Sequence, residues 1–291
     1  MPARKVFRLR LPSGAKLVLG QRTLVMGVLN VTPDSFSDGG RFFSARRATE
    51  HALGMQRDGA DIVDIGAEST RPGAEPISAT EELRRLLPVL DALRGKLKVP
   101  ISIDTQKAAV AEVALGAGAS IVNDISGLRS DSGLARVAAA WGAPLIVMHL
   151  RGEPRSMQKG PFARNVLRDV ERGLRQSVAA AQKAGVPRSQ IIVDPGIGFG
   201  KSFAQNYELL ARLALLARLG FPLLLGTSRK GFLGATLARN GKPAPVAERL
   251  WGTAATVAAG ILHGAHIVRV HDVAEMAQVA RVSDAIVRGS R

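Results

Sequence analysis

PISIDTQKAAVAEVALGAGASIVND, residues 100–124, holds one full turn of the pattern that decides the fold. A short β-branched run (100–104) gives way to an amphipathic stretch of helical period (106–116). Gly118-Ala119 then leads straight into a second β-branched run (120–124). Glycine at that point is the chemistry of a helix that stops and turns into a strand.

The same unit recurs along the chain. The strand-like runs are 23–29, 61–66, 100–104, 120–124, 144–149, 190–194, 222–226 and 266–270. Helical periods fall near 44–58, 79–94, 106–116, 131–141, 162–184, 202–219, 246–263 and 272–288, and several end on a glycine (Gly59, Gly118, Gly142, Gly185, Gly220, Gly264). Near-continuous apolar strands joined by helices imply a parallel sheet covered on its outer face. Eight units in about 270 residues fit a (β/α)8 barrel better than an open doubly wound sheet. A short hairpin, turned at Pro12-Ser13-Gly14, precedes them, so the expected organisation is a hairpin cap over 1–21 and a single barrel domain over 22–291.

Composition bounds the function. The chain has 291 residues, 46% of them hydrophobic, and no cysteine, so disulfides and thiolate metal sites are ruled out and a cytoplasmic setting is expected. The basic N-terminal stretch lacks a continuous apolar core, and no window has the apolar length of a membrane span; neither a signal peptide nor a membrane anchor is expected. Lys and Arg exceed Asp and Glu by 16. The arginines (Arg84, Arg85, Arg94, Arg164, Arg168, Arg172, Arg175) are scattered over Ala- and Leu-rich helical segments with no aromatic interleaving, which reads as a solvated face and not as a nucleic-acid surface.

In such barrels the active site lies at the C-terminal ends of the strands. Here the strands end on Asn30; Glu68, Ser69, Thr70 and Arg71; Asp104; Asn123 and Asp124; Met148 and His149; Asp194; Ser228, Arg229 and Lys230; Arg269 and His271. Any one of these has a bland alternative, and Asp104 before TQKAAV is a plausible helix cap. The convergent set is harder to assign to chance. It makes the polar loop LNVTPDSFSDGG (29–40) one wall of a site.

Two chemical sub-sites separate. Asn30, Thr70, Arg71, Arg269 and His271 are donors suited to phosphate oxygens. Asp104, Asn123, Asp194 and Lys230 suit a flat, nitrogen-rich heterocycle, with Met148 and Phe199 as apolar faces. DPGIGFGKS (194–202) resembles a P-loop, but the spacing is wrong: three residues separate Gly196 from Gly200, and Pro195 stands where Walker A needs glycine. Of the five histidines, only His271, two residues after Arg269 and on the same strand face, is assigned to the site. His263 and His266 read as structural, His149 as a strand-end packing residue and His51 as part of a helix face. No His and carboxylate set has the spacing of a built-in zinc or iron site.

MGVLNVTPDSFSDGG, GAESTRPGA, ISIDT, IVNDISG, DPGIGFGK, GTSRKGFLG and IVRVHDV, spread from Met26 to Val273, together resemble the dihydropteroate synthase family. The resemblance implies a (β/α)8 barrel. It implies an enzyme that condenses 6-hydroxymethyl-7,8-dihydropterin diphosphate with p-aminobenzoate, releasing pyrophosphate in folate synthesis. It also implies Mg²⁺, a homodimer (a helix late in the barrel is the expected contact) and a target of sulfonamides. By the same resemblance Asn30 helps hold Mg²⁺ and the diphosphate, and Thr70 and Arg71 face the diphosphate and the second substrate. Asp104, Asn123, Asp194 and Lys230 hold the pterin, beside Met148 and Phe199. Arg269 and His271 hold the leaving pyrophosphate. Thr70, Pro72, Phe199, Ser228 and Lys230 border the aminobenzoate pocket, and loops 31–40 and 67–74 close over the substrates. Asp194, Lys230, Arg269 and His271 are the expected catalytic residues. Gly231, where many relatives carry Ser or a larger residue, is a local departure.

The chemistry is consistent with that set. An aromatic amine is neutral at pH 7, so its lone pair needs no strong base, and the hard step is departure of the diphosphate. An SN1-like displacement is expected. A pterin-binding methyltransferase domain is the nearest rival; it lacks NVTPDSFSDGG with STRPG and the RVH pair. A non-catalytic nucleic-acid-binding protein is the rival from another class.

Overall fold

The computed structural model describes residues 4–32, 41–69, 75–152, 157 and 160–289. An antiparallel hairpin opens the chain: β1 (Phe7–Arg10) and β2 (Lys16–Leu19), paired from Phe7↔Leu19 to Arg10↔Lys16. Strands and helices then alternate: β3 (Leu24–Asn30), α1 (Arg41–Arg57), β4 (Ile62–Gly66), α2 (Ala79–Leu93), β5 (Ile101–Asp104), α3 (Ala108–Gly116), β6 (Ile121–Asp124) and α4 (Gly133–Trp141). They continue with β7 (Leu145–Met148), α5 (Val166–Lys183), β8 (Ile191–Asp194), α6 (Phe203–Ala211), α7 (Leu213–Leu216), β9 (Leu224–Leu225), α8 (Gly231–Thr236), α9 (Leu250–Leu262), β10 (Ile267–Val270) and α10 (Val273–Gly289).

The eight-stranded sheet is parallel throughout, in the order β8-β7-β6-β5-β4-β3-β10-β9. Its two ends meet: Val193 bridges Leu223 in parallel, and the Val193 N–H donates to the Pro222 carbonyl at 3.0 Å. The sheet therefore closes into the (β/α)8 barrel that the repeat implies. The six helix-ending glycines all adopt positive φ, from 63° at Gly142 to 109° at Gly118.

Three local differences from the sequence reading have physical causes. The run 222–226 forms a strand of two residues only, Leu224–Leu225, and Pro222 before it has no N–H to give to a ladder. The stretch 202–219 is broken at Arg212, whose φ of −111° interrupts the helical path. The segment GFLGAT forms α8 despite two glycines, because burial of Phe232 and Leu233 overrides poor helix propensity; Tyr207 packs edge-on against Phe232 with centroids 5.0 Å apart.

Strand period divides the barrel into layers. Ile62, Ile121, Ile146, Ile192, Leu224 and Ile267 share one interior cluster with Leu24 and Met26 at the N-terminal end. Leu9, Leu11, Leu17 and Leu19 of the hairpin belong to that same cluster, so the hairpin plugs the bottom of the barrel. His266 ties plug to barrel: Nδ1 accepts from the Leu223 N–H at 3.2 Å, Nε2 reaches the Lys5 carbonyl at 3.1 Å, and Phe7 packs edge-on against the ring. Two residues further along β4, β6, β7, β8 and β10, the inward positions become Asp64, Asn123, Met148, Asp194 and Arg269. Polarity thus switches on from one layer to the next.

On the helices Arg84 and Arg85 pair with Glu81, Arg94 with Asp91, Arg172 with Asp169 and Arg175 with Glu171. Among the described residues no helix is long and apolar enough to cross a membrane.

Candidate active site

At the C-terminal mouth of the barrel one guanidinium meets two carboxylates. Arg269 leaves β10 and donates from Nε to Asp64 Oδ2 at 2.6 Å and from Nη2 to Asp104 Oδ2 at 2.7 Å. Asp104 is therefore not the cap of α3; Asp131 accepts the Ala108 N–H instead, at 2.8 Å. Gly66 makes room for this: a Cβ there would lie 3.2 Å from Asp104 Cβ. Burial holds the Asp104 carboxyl above its ordinary range in spite of Arg269, and Asp64 adds to the effect. Burial opposes the Arg269 charge, but Asp64 and Asp104 hold its pKa above the ordinary value.

Asn123 sits beside this pair, buried on β6, and donates from Nδ2 to the same Asp64 oxygen at 3.0 Å. Asp104, Asn123 and Arg269 thus form one connected group, although the sequence places Arg269 with the phosphate donors and the other two with the heterocycle.

Asp194 ends β8 and folds back to accept the Gly196 N–H at 2.7 Å. Burial raises its carboxyl to about 6, against the opposing effects of that N–H and of Lys230. The loop after it can turn only with glycine. Gly196 has φ +66°, and a Cβ there would come within 1.9 Å of the His149 carbonyl oxygen. Across the mouth Lys230 opens α8 with its Nζ 3.9 Å from the centre of the Phe199 ring. Burial, with Arg269 nearby, lowers the Lys230 ammonium to about 8. Ser228 Oγ lies 3.0 Å from Nδ1 of His271 and also accepts the His271 backbone N–H at 3.2 Å. Burial, reinforced by Arg269 and Arg229, lowers His271 to about 3, so its imidazole is neutral at pH 7.

Met148 packs with Ile125, Leu150 and Met157, and Phe199 lies against that cluster. Asn30 ends β3 half-buried, opposite Gly66 in the register. Thr70, Arg71 and Pro72 lie outside the described residues. The segment that leads into them is anchored: Lys107 reaches Glu68 and Glu82 at 2.6 Å each, and Glu68 accepts the Ile77 N–H at 3.2 Å.

Sequence reasoning passed over two residues. Asp64 lies in the middle of β4 and is fully buried; the usable signal was a carboxylate at an inward position of the apolar run DIVDIG. Lys201, 1% exposed, was weighed only as part of a failed P-loop. Its Nζ meets three acceptors: the Phe199 carbonyl at 2.8 Å, His149 Nδ1 at 3.1 Å and the His149 carbonyl at 3.2 Å. Burial lowers Lys201 to about 7 and, with Lys201 alongside, His149 to about 2. The neutral imidazole accepts at Nδ1, and the lysine pins the glycine loop to the end of β7.

The arrangement holds acceptors for ring N–H and amino groups, cations for an anion, and an apolar face. Residues 26–271 match the family of pterin binding enzymes. The dihydropteroate synthase of Synechocystis sp. is 51% identical over 279 residues, covering 96% of this chain and 95% of that protein. The chain belongs to the dihydropteroate synthase family. It is accordingly a transferase of folate biosynthesis. A dihydropteroate synthase crystal structure from Clostridium difficile, in the presence of pteroic acid, is 46% identical, covers 92% of this chain and 98% of that one, and has a TM-score of 0.86. The Xanthomonas albilineans dihydropteroate synthase with 4-aminobenzoic acid is 39% identical, with coverage of 97% and 98% and a TM-score of 0.88.

Proposed function

We propose that this site joins 6-hydroxymethyl-7,8-dihydropterin diphosphate to p-aminobenzoate, giving dihydropteroate and pyrophosphate. The observation that carries the reading is the meeting of Asp104, Asn123, Asp194, Lys230 and Arg269 at one barrel mouth, beside Phe199 and Met148. Asp194 and Asn123 accept from the pterin amino and ring N–H groups, and Lys230 donates to its oxygen or nitrogen. Met148 and Phe199 cover the ring faces. Arg269, His271, Thr70 and Arg71 take the diphosphate, the neutral His271 acting as a donor from Nε2. Pro72, Phe199 and Ser228 border the arylamine.

As the bridging C–O bond breaks, its electrons leave with the diphosphate and positive charge spreads over the pterin methylene and ring. The Asp194 carboxylate stabilises that charge. The arylamine nitrogen then attacks with its own lone pair and loses a proton, so no strong base is needed. Water that would otherwise capture the cation has to be kept out; of loops 31–40 and 67–74, expected to do this, residues 33–40 and 70–74 lie outside the described residues.

Asn30 suits Mg²⁺: it offers one neutral oxygen at the strand end, and this ion is held through few protein ligands with substrate phosphates and water completing the shell. When bound, the ion supplies positive charge to the departing diphosphate. The homodimer is supported by apolar side chains on the late helices: Trp251 of α9 is 78% exposed, and Val282 and Ile286, one turn apart on α10, are 63% and 51% exposed.

The test is pyrophosphate release from the dihydropterin diphosphate with Mg²⁺, with and without p-aminobenzoate. Release that requires the arylamine and yields dihydropteroate is expected. Pterin binding without release would overturn the reading in favour of a pterin-binding methyltransferase domain.

A further inference from the structure

Asp64 is a carboxylate at a fully enclosed inward position of β4, in the layer where polarity begins. Its neighbour two residues earlier on β4, Ile62, lies in the apolar layer with Ile121, Ile146, Ile192 and Ile267. Asp64 itself is 0% exposed, yet carries a carboxylate. Taking such a group out of water is costly, and a well-packed hydrophobic side chain in place of a buried ion pair is often neutral or stabilising. Stability alone therefore gives no reason for an acid here.

The geometry gives one. A single oxygen, Oδ2, receives both the Arg269 Nε–H (2.6 Å) and the Asn123 Nδ2–H (3.0 Å). Oδ1 has no hydrogen-bond partner among the described residues. Two groups from strands on opposite sides of β4 and β5 in the barrel order are thereby held at one atom. The contact also sets the polarity of Asn123. Turning that amide over would put its oxygen against a carboxylate oxygen, so the nitrogen stays on Asp64 and the amide oxygen is kept free as an acceptor. For Arg269, the bonds to Asp64 and Asp104 occupy Nε and Nη2. Nη1 has no partner among the described residues.

We propose that Asp64 is a positioning residue of this site: through one carboxylate oxygen it locks the Arg269 guanidinium and the Asn123 amide into the orientation that receives the pterin diphosphate. This rests on the function proposed above and extends it to a residue beneath the substrate. Asp64 touches no reacting atom in this scheme. It acts through Arg269 and Asn123, and its charge further disfavours ionisation of Asp104.

The experiment measures pteroic acid binding by calorimetry to the wild-type protein, Asp64→Asn, Asn123→Ala and the double variant, so that it does not depend on turnover. Asp64→Asn keeps the shape and loses the charge and the preference for one amide orientation. It is expected to weaken binding about tenfold or more. Pteroic acid carries no diphosphate and so reads Asp64 through Asn123; Asn123→Ala alone and the double variant should then bind within about twofold of each other. Wild-type affinity in Asp64→Asn, or losses that multiply in the double variant, would overturn the proposal. Should Asp64→Asn fail to fold, the wild-type protein still decides. Its Arg269 Nε–H, assigned by NMR against Arg269→Lys, is expected to exchange slowly with solvent; rapid exchange would sink the contact on which the argument stands. Failure of the functional reading appears elsewhere, as absence of arylamine-dependent pyrophosphate release by the wild-type protein.

Discussion

Burial places the Asp194 carboxyl at about 6 and the Lys230 ammonium at about 8, and the proposed chemistry needs the first ionised and the second protonated. Activity should therefore rise as pH passes upward through the first value and fall as it passes through the second. With these two values, about four-fifths of the free enzyme carries both charges at pH 7, against about one-tenth at pH 5 or pH 9. The quantity kcat/KM reports the free enzyme, so it should drop about ninefold on either side. The assay is initial-rate pyrophosphate release over that range. Two variants assign the limbs. Asp194→Asn should abolish the acid limb; it also removes the negative charge that supports the Lys230 ammonium, so its alkaline limb should move to lower pH. Lys230→Met should abolish the alkaline limb. A limb that survives in both variants belongs to neither group, and Asp104, which burial also raises, and the substrate are then the sources to separate. A flat wild-type profile, or an acid limb unchanged in Asp194→Asn, would refute the assignment of the two groups.

Arg269→Met leaves Asp64 and Asp104 without their shared cation, and such a loss typically costs about 3–5 kcal/mol, read as a lower urea midpoint. Part of that stability should return as pH falls, because the Asp104 carboxyl, raised by burial and now without its cation, takes up a proton. Gly196→Ala forces a side chain into left-handed backbone and against the His149 carbonyl; a lower melting temperature together with severe loss of turnover is expected, and wild-type turnover would show that the loop has room to move. Leu9→Ala in the plug, 1% exposed, should cost about 2–5 kcal/mol in urea unfolding while leaving KM for both substrates unchanged, since the plug sits at the opposite end of the barrel from the site. A negligible cost would mean that the hairpin is not part of the barrel core.

The alternation of β-branched runs with helical periods, and the glycines between them, specified the barrel because those signals are local: each strand and helix is built from its own residues. Its polar strand ends were legible for the same reason. Once a strand is placed, period two fixes which residue faces inward, and Asp104, Asn123, Asp194, Lys230, Arg269 and His271 followed from the rule that barrel sites lie at the C-terminal rim. What each of them touches was not legible. Arg269 binds Asp104 across 165 residues and Asp64 across 205, so a guanidinium assigned to the phosphate set is bonded to a carboxylate assigned to the heterocycle set. Asp64 and Lys201 escaped because a lone charge in an apolar run, or beside a glycine loop, has meaning only through the acceptors and donors that close around it. The short helix after Lys230 was likewise set by burial of Phe232 and Leu233, against its own propensity. Sequence determined which elements form and which side chains face the barrel axis. Barrel closure decided which charges share a partner, because that depends on distances between strands that no local pattern encodes.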